Sequence, residues 1–360
     1  MTTLRCRTVA AFALALLGAC ANQTQLGWDA YHRGDFAQAL GMWRPLAEDG
    51  DADARYLVGL MHDEGTGVAA DAREAARWYE LAAEQGHAPA QTNLGLLFCS
   101  GKGVERSTAR AAAWFARAAE QGYARAQGNL GVLTLFGHGV EKDPERARTL
   151  LTAAAEQGDV EAQRVLASIY DEGLGVPQDP QTALRWYERA AAQGSPAADY
   201  RIGLLQLRGR GVPRDTAAAA DRLQRAARAQ LPEAQFLLGW LHHKGEGTAV
   251  DDKAAATWFR RAAEQGHSVA QSQLGVMFLR GEGVAADDTE AAHWLRLAAE
   301  RGIPEAQYNL GLLYAQGRGV ARNEQEARHW LQKAAEQGLQ IAIDKLAVAE
   351  RADEAASPGR

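Results

Sequence analysis

Eight Gly-x-Gly pairs, two adjacent histidines and a lone mid-chain cysteine are the residues of this chain that invite a chemical reading. The pairs begin at Gly65, Gly101, Gly137, Gly173, Gly209, Gly245, Gly281 and Gly317. A dinucleotide-binding loop needs a preceding strand and a third glycine. Here each pair follows a helical pattern and the motif recurs eight times, which makes it a turn. His242 and His243 are neighbours on a helix, splayed about 100° apart, and are poorly placed to share a metal ion. No His-Glu-x-x-His or Cys-x-x-Cys accompanies them. Cys99 has no histidine marked as its partner and reads as a small helix residue. Glu84, Glu120 and Glu156 recur at one solvent-facing helix phase. The residues thus compose no catalytic constellation, and no metal, cofactor or small-molecule ligand is expected.

The one covalent modification the sequence points to lies at the N-terminus. Arg5 and Arg7 precede an apolar run from Val9 to Leu17, nine residues long and too short to span a bilayer. Leu17-Gly18-Ala19-Cys20 closes it and resembles the bacterial lipobox, whose cysteine carries diacylglycerol and becomes the mature N-terminus. The rival reading is an ordinary signal-peptidase site at Ala19-Cys20-Ala21. On the lipobox reading Cys20 is the lipidation site and the chain is exported. Ala21 after the cysteine then favours the outer membrane, facing the periplasm; a soluble periplasmic form and cell-surface exposure stay open. No second long apolar stretch follows. Cys6 leaves with the signal, so Cys99 has no intramolecular disulfide partner in the mature chain. A net charge of -6 without a basic stripe argues against nucleic acid.

The elements that position these residues come from the glycine spacing of 36 residues, unbroken over eight units. In the second unit Ala90, Leu94, Gly95, Leu97 and Phe98 form the stripe of an amphipathic helix. Gly101 to Val104 reverses the chain, Ser107 supplies an N-cap, and Ala111, Trp114, Phe115, Ala118 and Ala119 form a second buried stripe. The equivalents of Ser107 are Asp71, Asp143, Asp179, Asp215, Asp251, Asp287 and Asn323, all cap-forming residues. The spacing predicts an all-α, right-handed α-solenoid of eight 36-residue helix-turn-helix repeats with shortened terminal caps. Residues 1–19 read as a lipoprotein-type signal peptide, 20–25 as a short lipid tether and 26–50 as an N-terminal capping hairpin. The repeats occupy 51–86, 87–122, 123–158, 159–194, 195–230, 231–266, 267–302 and 303–338. A capping helix over 339–351 and a disordered tail over 352–360 complete the chain. Repeat five departs most, with Arg222 at the tryptophan position and Gln230 at the capping glycine. It is therefore expected to be the loosest junction and a bend.

Ala-x-x-x-Leu-Gly, Gly-x-Gly-Val and Ala-x-x-Trp-Tyr/Phe followed by Ala-Ala-Glu-Gln-Gly together are similar to the Sel1-like repeat family, relatives of tetratricopeptide repeats. The resemblance covers about four-fifths of the chain. It implies a non-catalytic scaffold or adaptor for protein assembly, often exported in bacteria.

On such a scaffold the first helices line a concave groove that binds a protein or peptide. The positions expected to read that partner are Tyr56, Arg164, Tyr200, Phe236, Trp240, His243, Lys244, Arg280 and Tyr308. Repeat six stands out because Phe236, Trp240, His243 and Lys244 put two aromatics and a cation on one helix face. The competing reading is that Phe236 and Trp240 pack between neighbouring first helices. The expected function is a protein-protein interaction scaffold in the bacterial cell envelope, anchored to the membrane by its N-terminal lipid. The alternatives are an enzyme acting on cell-wall peptides or glycans, or a surface factor contacting a host protein.

Overall fold

The computed structural model describes residues 23–356, with side chains to 348. Residues 1–22, including Cys20 and the signal-peptide and lipobox assignments, lie outside the described residues, as do 357–360. Nineteen helices and no strands occur among the described residues. Helix α1 covers 23–32 and α2 Phe36–Glu48. The first helices of the eight repeats are α3 (Ala52–Glu64), α5 (Ala88–Ser100), α7 (Ala124–Phe136), α9 (Val160–Glu172), α11 (Pro196–Arg208), α13 (Pro232–Lys244), α15 (Ser268–Arg280) and α17 (Pro304–Gln316). Their second helices are α4 (Ala72–Ala83), α6 (Thr108–Glu120), α8 (Pro144–Glu156), α10 (Pro180–Ala192), α12 (Thr216–Arg228), α14 (Asp252–Glu264), α16 (Asp288–Glu300) and α18 (Glu324–Glu336). Helix α19 covers Gln340–Ala356.

Two expected boundaries move. Residues 23–25 are the start of α1 rather than part of a tether, and α19 runs to Ala356 rather than stopping at 351. Neither segment contains the Gly or Pro that would break a helix, so good helix formers carry the pattern through. The chain divides into two compact units, one ending at Asp179 and the other beginning at Pro180. That division falls inside repeat four, between α9 and α10, and not in repeat five, where the missing tryptophan pointed.

Within each unit every helix from α2 on packs on the next along the chain. All eight first helices end on a glycine in the left-handed conformation, from Gly65 to Gly317. Asp71, Ser107, Asp143, Asp215, Asp251, Asp287 and Asn323 each accept a hydrogen bond from the first turn of the second helix. The alanines at the phase of Ala54 and Ala75 are essentially fully buried, which lets neighbouring helices approach closely.

Trp78 and Trp330 belong to the core, but the other four repeat tryptophans do less core filling than their size implies. The core is filled by the residue after each: Tyr79, Phe115, Tyr187, Phe259 and Leu295 are buried, whereas Trp114, Trp186, Trp258 and Trp294 are half-buried. A cation three residues on covers several of the exposed rings. Arg117 lies 4.6 Å from the Trp114 centroid, Arg189 4.7 Å from Trp186 and Arg261 4.7 Å from Trp258.

A side-chain ladder links the repeats. The amides of Gln91, Gln163, Gln235, Gln271 and Gln307 donate to the carbonyl eight residues back, on the preceding helix. Gln121 then donates to Gln91 Oε1, Gln157 to Gln127, Gln265 to Gln235 and Gln337 to Gln307. Arg301 occupies the rung opposite Gln271 and donates instead to the Gly266 carbonyl, leaving Gln271 Oε1 buried without a partner. No helix among the described residues is long and apolar enough to cross a membrane.

Candidate functional site

Each first helix carries two faces that matter here. One buries Ala234, Leu238 and Leu241 (numbered for α13), and the corresponding residues of its neighbours are also buried. A second face runs through positions 236, 240 and 243; the position of 240 is partly exposed in all eight repeats, whereas Thr92, Gly128, Leu135, Asp171 and Ser272 on the same face are buried. It is the face expected to read a partner, and its residues change from one repeat to the next.

In the first unit, Tyr56 lies 4.8 Å from the His87 ring and 5.8 Å from Tyr79, and burial raises its hydroxyl pKa, with Tyr123 adding to the effect. Arg164 is paired with Glu161 on its own helix. In the second unit, Tyr200 is half-buried against the core around Leu223 and Leu238, and its hydroxyl pKa is raised, mainly by burial. Phe236 stacks on His267 at 4.7 Å and approaches Phe259 at 5.7 Å. This trio occupies the same register as Tyr56, Tyr79 and His87. The competing packing role therefore holds for Phe236, which seals a repeat junction. Trp240 keeps a partly exposed ring with Lys244 Nζ 4.8 Å from its centroid. His243 Nδ1 lies 2.7 Å from Asp252 Oδ1 of the following helix. Lys244 and Arg280 are exposed, and Arg280 lies 3.6 Å from Glu282. Tyr308 is half-buried. The structure thus brings Trp240, His243 and Lys244 together, and both Phe236 and Trp240 pack, partly buried, against the core around Phe259 and Phe278.

His87 and His267 have a role that sequence reasoning passed over. Each precedes a first helix and its Nδ1 accepts the N–H of the third residue on, Ala90 and Ala270, at 3.1 Å. At the same register stand Asp159 and Ser195, which cap in the ordinary way. A histidine can accept there only while neutral. Burial lowers the His267 pKa, and Glu233 opposes that shift. The folded chain therefore binds fewer protons at this site than the unfolded chain. The stabilisation is complete above the unfolded value of 6.5 and is lost as pH falls below it. Thermal melts of the wild type and His267→Asn between about pH 7.5 and pH 5 should diverge, the wild type losing more of its midpoint on acidification. Parallel loss in both proteins would remove His267 from the account.

Repeat five contains a charge cluster that sequence reasoning also missed. Asp199 replaces the ladder glutamine and is buried, accepting from Arg222 at 3.1 Å and Arg225 at 2.7 Å. The signal was present as two coupled departures, aspartate for glutamine and arginine for tryptophan, but only the second was noticed. No group of three or more His, Cys, Asp and Glu among the described residues could hold a metal ion. Burial pushes the Cys99 thiol pKa up, with Arg106 opposing, which keeps it a weak nucleophile.

A helical-hairpin array whose buried residues repeat while one exposed stripe varies defines the class of interaction scaffolds built from stacked repeats. The chain matches the Sel1 repeat over residues 52–87, 88–123, 124–159, 160–195, 196–231, 232–267, 268–303 and 304–339, and it belongs to the Sel1 repeat family. Proteins of this family are generally protein-interaction scaffolds. Among solved structures, it is similar to a protective antigen of uropathogenic Escherichia coli strains displaying an SLR fold. The two are 36% identical with a TM-score of 0.76, over 87% of this chain and 67% of that one. It is also similar to a Sel1 repeat protein from Oxalobacter formigenes, at 31% identity and a TM-score of 0.65, over 86% of this chain and 90% of that one. No curated protein matches the chain.

Proposed function

We propose that the chain is a non-catalytic scaffold of the bacterial cell envelope that holds a protein or peptide along the exposed stripe of its first helices. The observation that carries this reading is the contrast between faces. Buried positions are nearly invariant from repeat to repeat, while the partly exposed stripe changes residue by residue and in repeat six presents Trp240 beneath Lys244. In this reading the chain is exported, Cys20 carries the lipid, and the array faces the periplasm from the outer membrane. That part rests on Leu17-Gly18-Ala19-Cys20 and on Ala21 after it. The similar antigen of uropathogenic Escherichia coli favours a second location, display at the cell surface toward a host protein.

The test is a cross-linked pull-down from the native envelope, comparing wild type with Trp240→Ala. Trp240 is chosen because Lys244 lies over its ring, whereas Phe236 is stacked on His267. Helical circular dichroism should be unchanged in the variant. The expected result is a specific envelope protein captured by the wild type and lost or at least tenfold depleted in the variant, as for a central aromatic anchor. Equal capture by both proteins would remove the stripe of repeat six from the site, and specific capture by neither would count against the scaffold reading.

A further inference from the structure

The last residue of each first helix is a register position that divides by sign between the two units. In the first unit it is Glu64, Ser100, Phe136 and Glu172; in the second it is Arg208, Lys244, Arg280 and Gln316. Arg208, Lys244 and Arg280 are all exposed. They stand one turn beyond Leu204, Trp240 and Val276, which are partly exposed on the same helices. The second unit therefore presents an apolar stripe with a row of cations along one edge, one per repeat over three consecutive repeats.

The chain's own acids leave much of this row open. Arg208 forms no ion pair among the described residues, and Lys244 lies over the Trp240 ring rather than on a carboxylate. Glu246, the nearest acid in sequence to Lys244, is engaged by Arg214 at 3.5 Å. Asp252 is taken by His243. Only Arg280 has a carboxylate beside it, Glu282, on the adjoining turn. A cation at a helix C-terminus gains a little from the helix dipole, but that accounts for neither the repetition nor the adjoining apolar stripe, and the first unit does without it.

Resting on the scaffold reading, we infer that the stripe of the second unit selects an acidic peptide segment of its partner. The segment carries leucine or aromatic side chains that seat on Leu204, Trp240 and Val276. Its carboxylates face Arg208, Lys244 and Arg280. Charge of opposite sign along the rim sets partner choice and association rate, while the apolar anchors hold the complex.

The test uses the full chain and two fluorescein-labelled synthetic peptides with the same leucine and phenylalanine positions, one with glutamates between them and one with lysines. Anisotropy titrations at low salt should show the glutamate peptide binding at least about tenfold more tightly, with the margin shrinking as salt rises. In Arg208→Glu/Lys244→Glu/Arg280→Glu, whose changes are all at exposed positions, the preference should invert. Equal binding of the two peptides, binding of neither, or an unchanged preference in the triple variant would overturn the inference. So would binding of phosphatidylglycerol vesicles that needs the same three cations and outcompetes the glutamate peptide. If the Trp240-dependent envelope partner is still captured by the triple variant, this inference fails while the scaffold reading stands; if that partner is never captured, the scaffold reading itself has failed.

Discussion

Gly247→Ala should destabilise the second unit by roughly 3–5 kcal/mol, while Gly302→Ala should cost only about 1–2 kcal/mol. Both glycines have positive φ, 72° and 85°. Alanine at either position therefore meets the same kind of backbone strain. What differs is the space around them. A Cβ at Gly247 would lie 2.1 Å from the Thr216 carbonyl oxygen and 2.3 Å from its carbon, both backbone atoms at the start of α12. A Cβ at Gly302 would meet nothing within 4 Å. The methyl group at 247 can be housed only by moving the preceding repeat's second helix, so its effect reaches two repeats. Gly103, Gly139, Gly283 and Gly319 stand in the same relation to the helix before them, the tightest being 1.9 Å from the Asp288 oxygen at Gly319. The pair of urea unfolding midpoints measures the difference directly. Similar shifts for the two variants would mean that the turn's conformation, and not the seam between repeats, sets the need for glycine.

Asp199→Ala should be the second large effect, about 2–4 kcal/mol, at the low end of what breaking a buried ion pair costs because Arg225 is more than half exposed. The carboxylate is buried and holds two guanidinium groups. Without it Arg222 and Arg225 face each other with no anion between them, and Arg222 is only about a quarter exposed. The other repeats show how to test whether this is a coupled exchange. Gln91 and Gln235, at the register of Asp199, donate to the helix before; Trp114 and Trp258, at the register of Arg222, each have an arginine three residues on. Asp199→Gln/Arg222→Trp recreates that arrangement with Arg225 as the cation. It should recover to within about 1 kcal/mol of wild type, far from the sum of the two single variants. A double variant no better than Asp199→Ala would show that the cluster does more than replace the ladder and the tryptophan.

Much of the fold was legible because each local signal was repeated eight times. A single Gly-x-Gly is ambiguous, but eight at one interval, each after a helical stripe and before a cap-forming residue, admit few arrangements. The sequence could not show which of two adjacent aromatics would be buried. Trp114 and Phe115 look equally suited to a core, and only the direction of the helix decides for phenylalanine. The same limit affected the site. The stripe through Phe236 and Trp240 was visible as a periodicity, but Phe236 faces His267, a residue 31 positions on that had no reason to be noticed. The second glycine of each turn was explained by chain reversal, whereas its tightest contact is with the repeat before, which no local window contains. The unit boundary at Asp179 fell in a repeat that keeps its tryptophan and both turn glycines and departs at Ala167, where the other seven repeats have glycine.

The unbroken interval of the repeats also bears on how such a gene can change. Because each seam is made by the same register positions, in-frame loss or duplication of one repeat rejoins compatible surfaces, and array length becomes a quantity that recombination can adjust without inventing a new contact. Asp199, Arg222 and Arg225 sit inside a single repeat, so this charge cluster is inherited or lost as one cassette. Arg301 and Gly266 belong to neighbouring repeats, so their contact survives only if recombination keeps the two side by side.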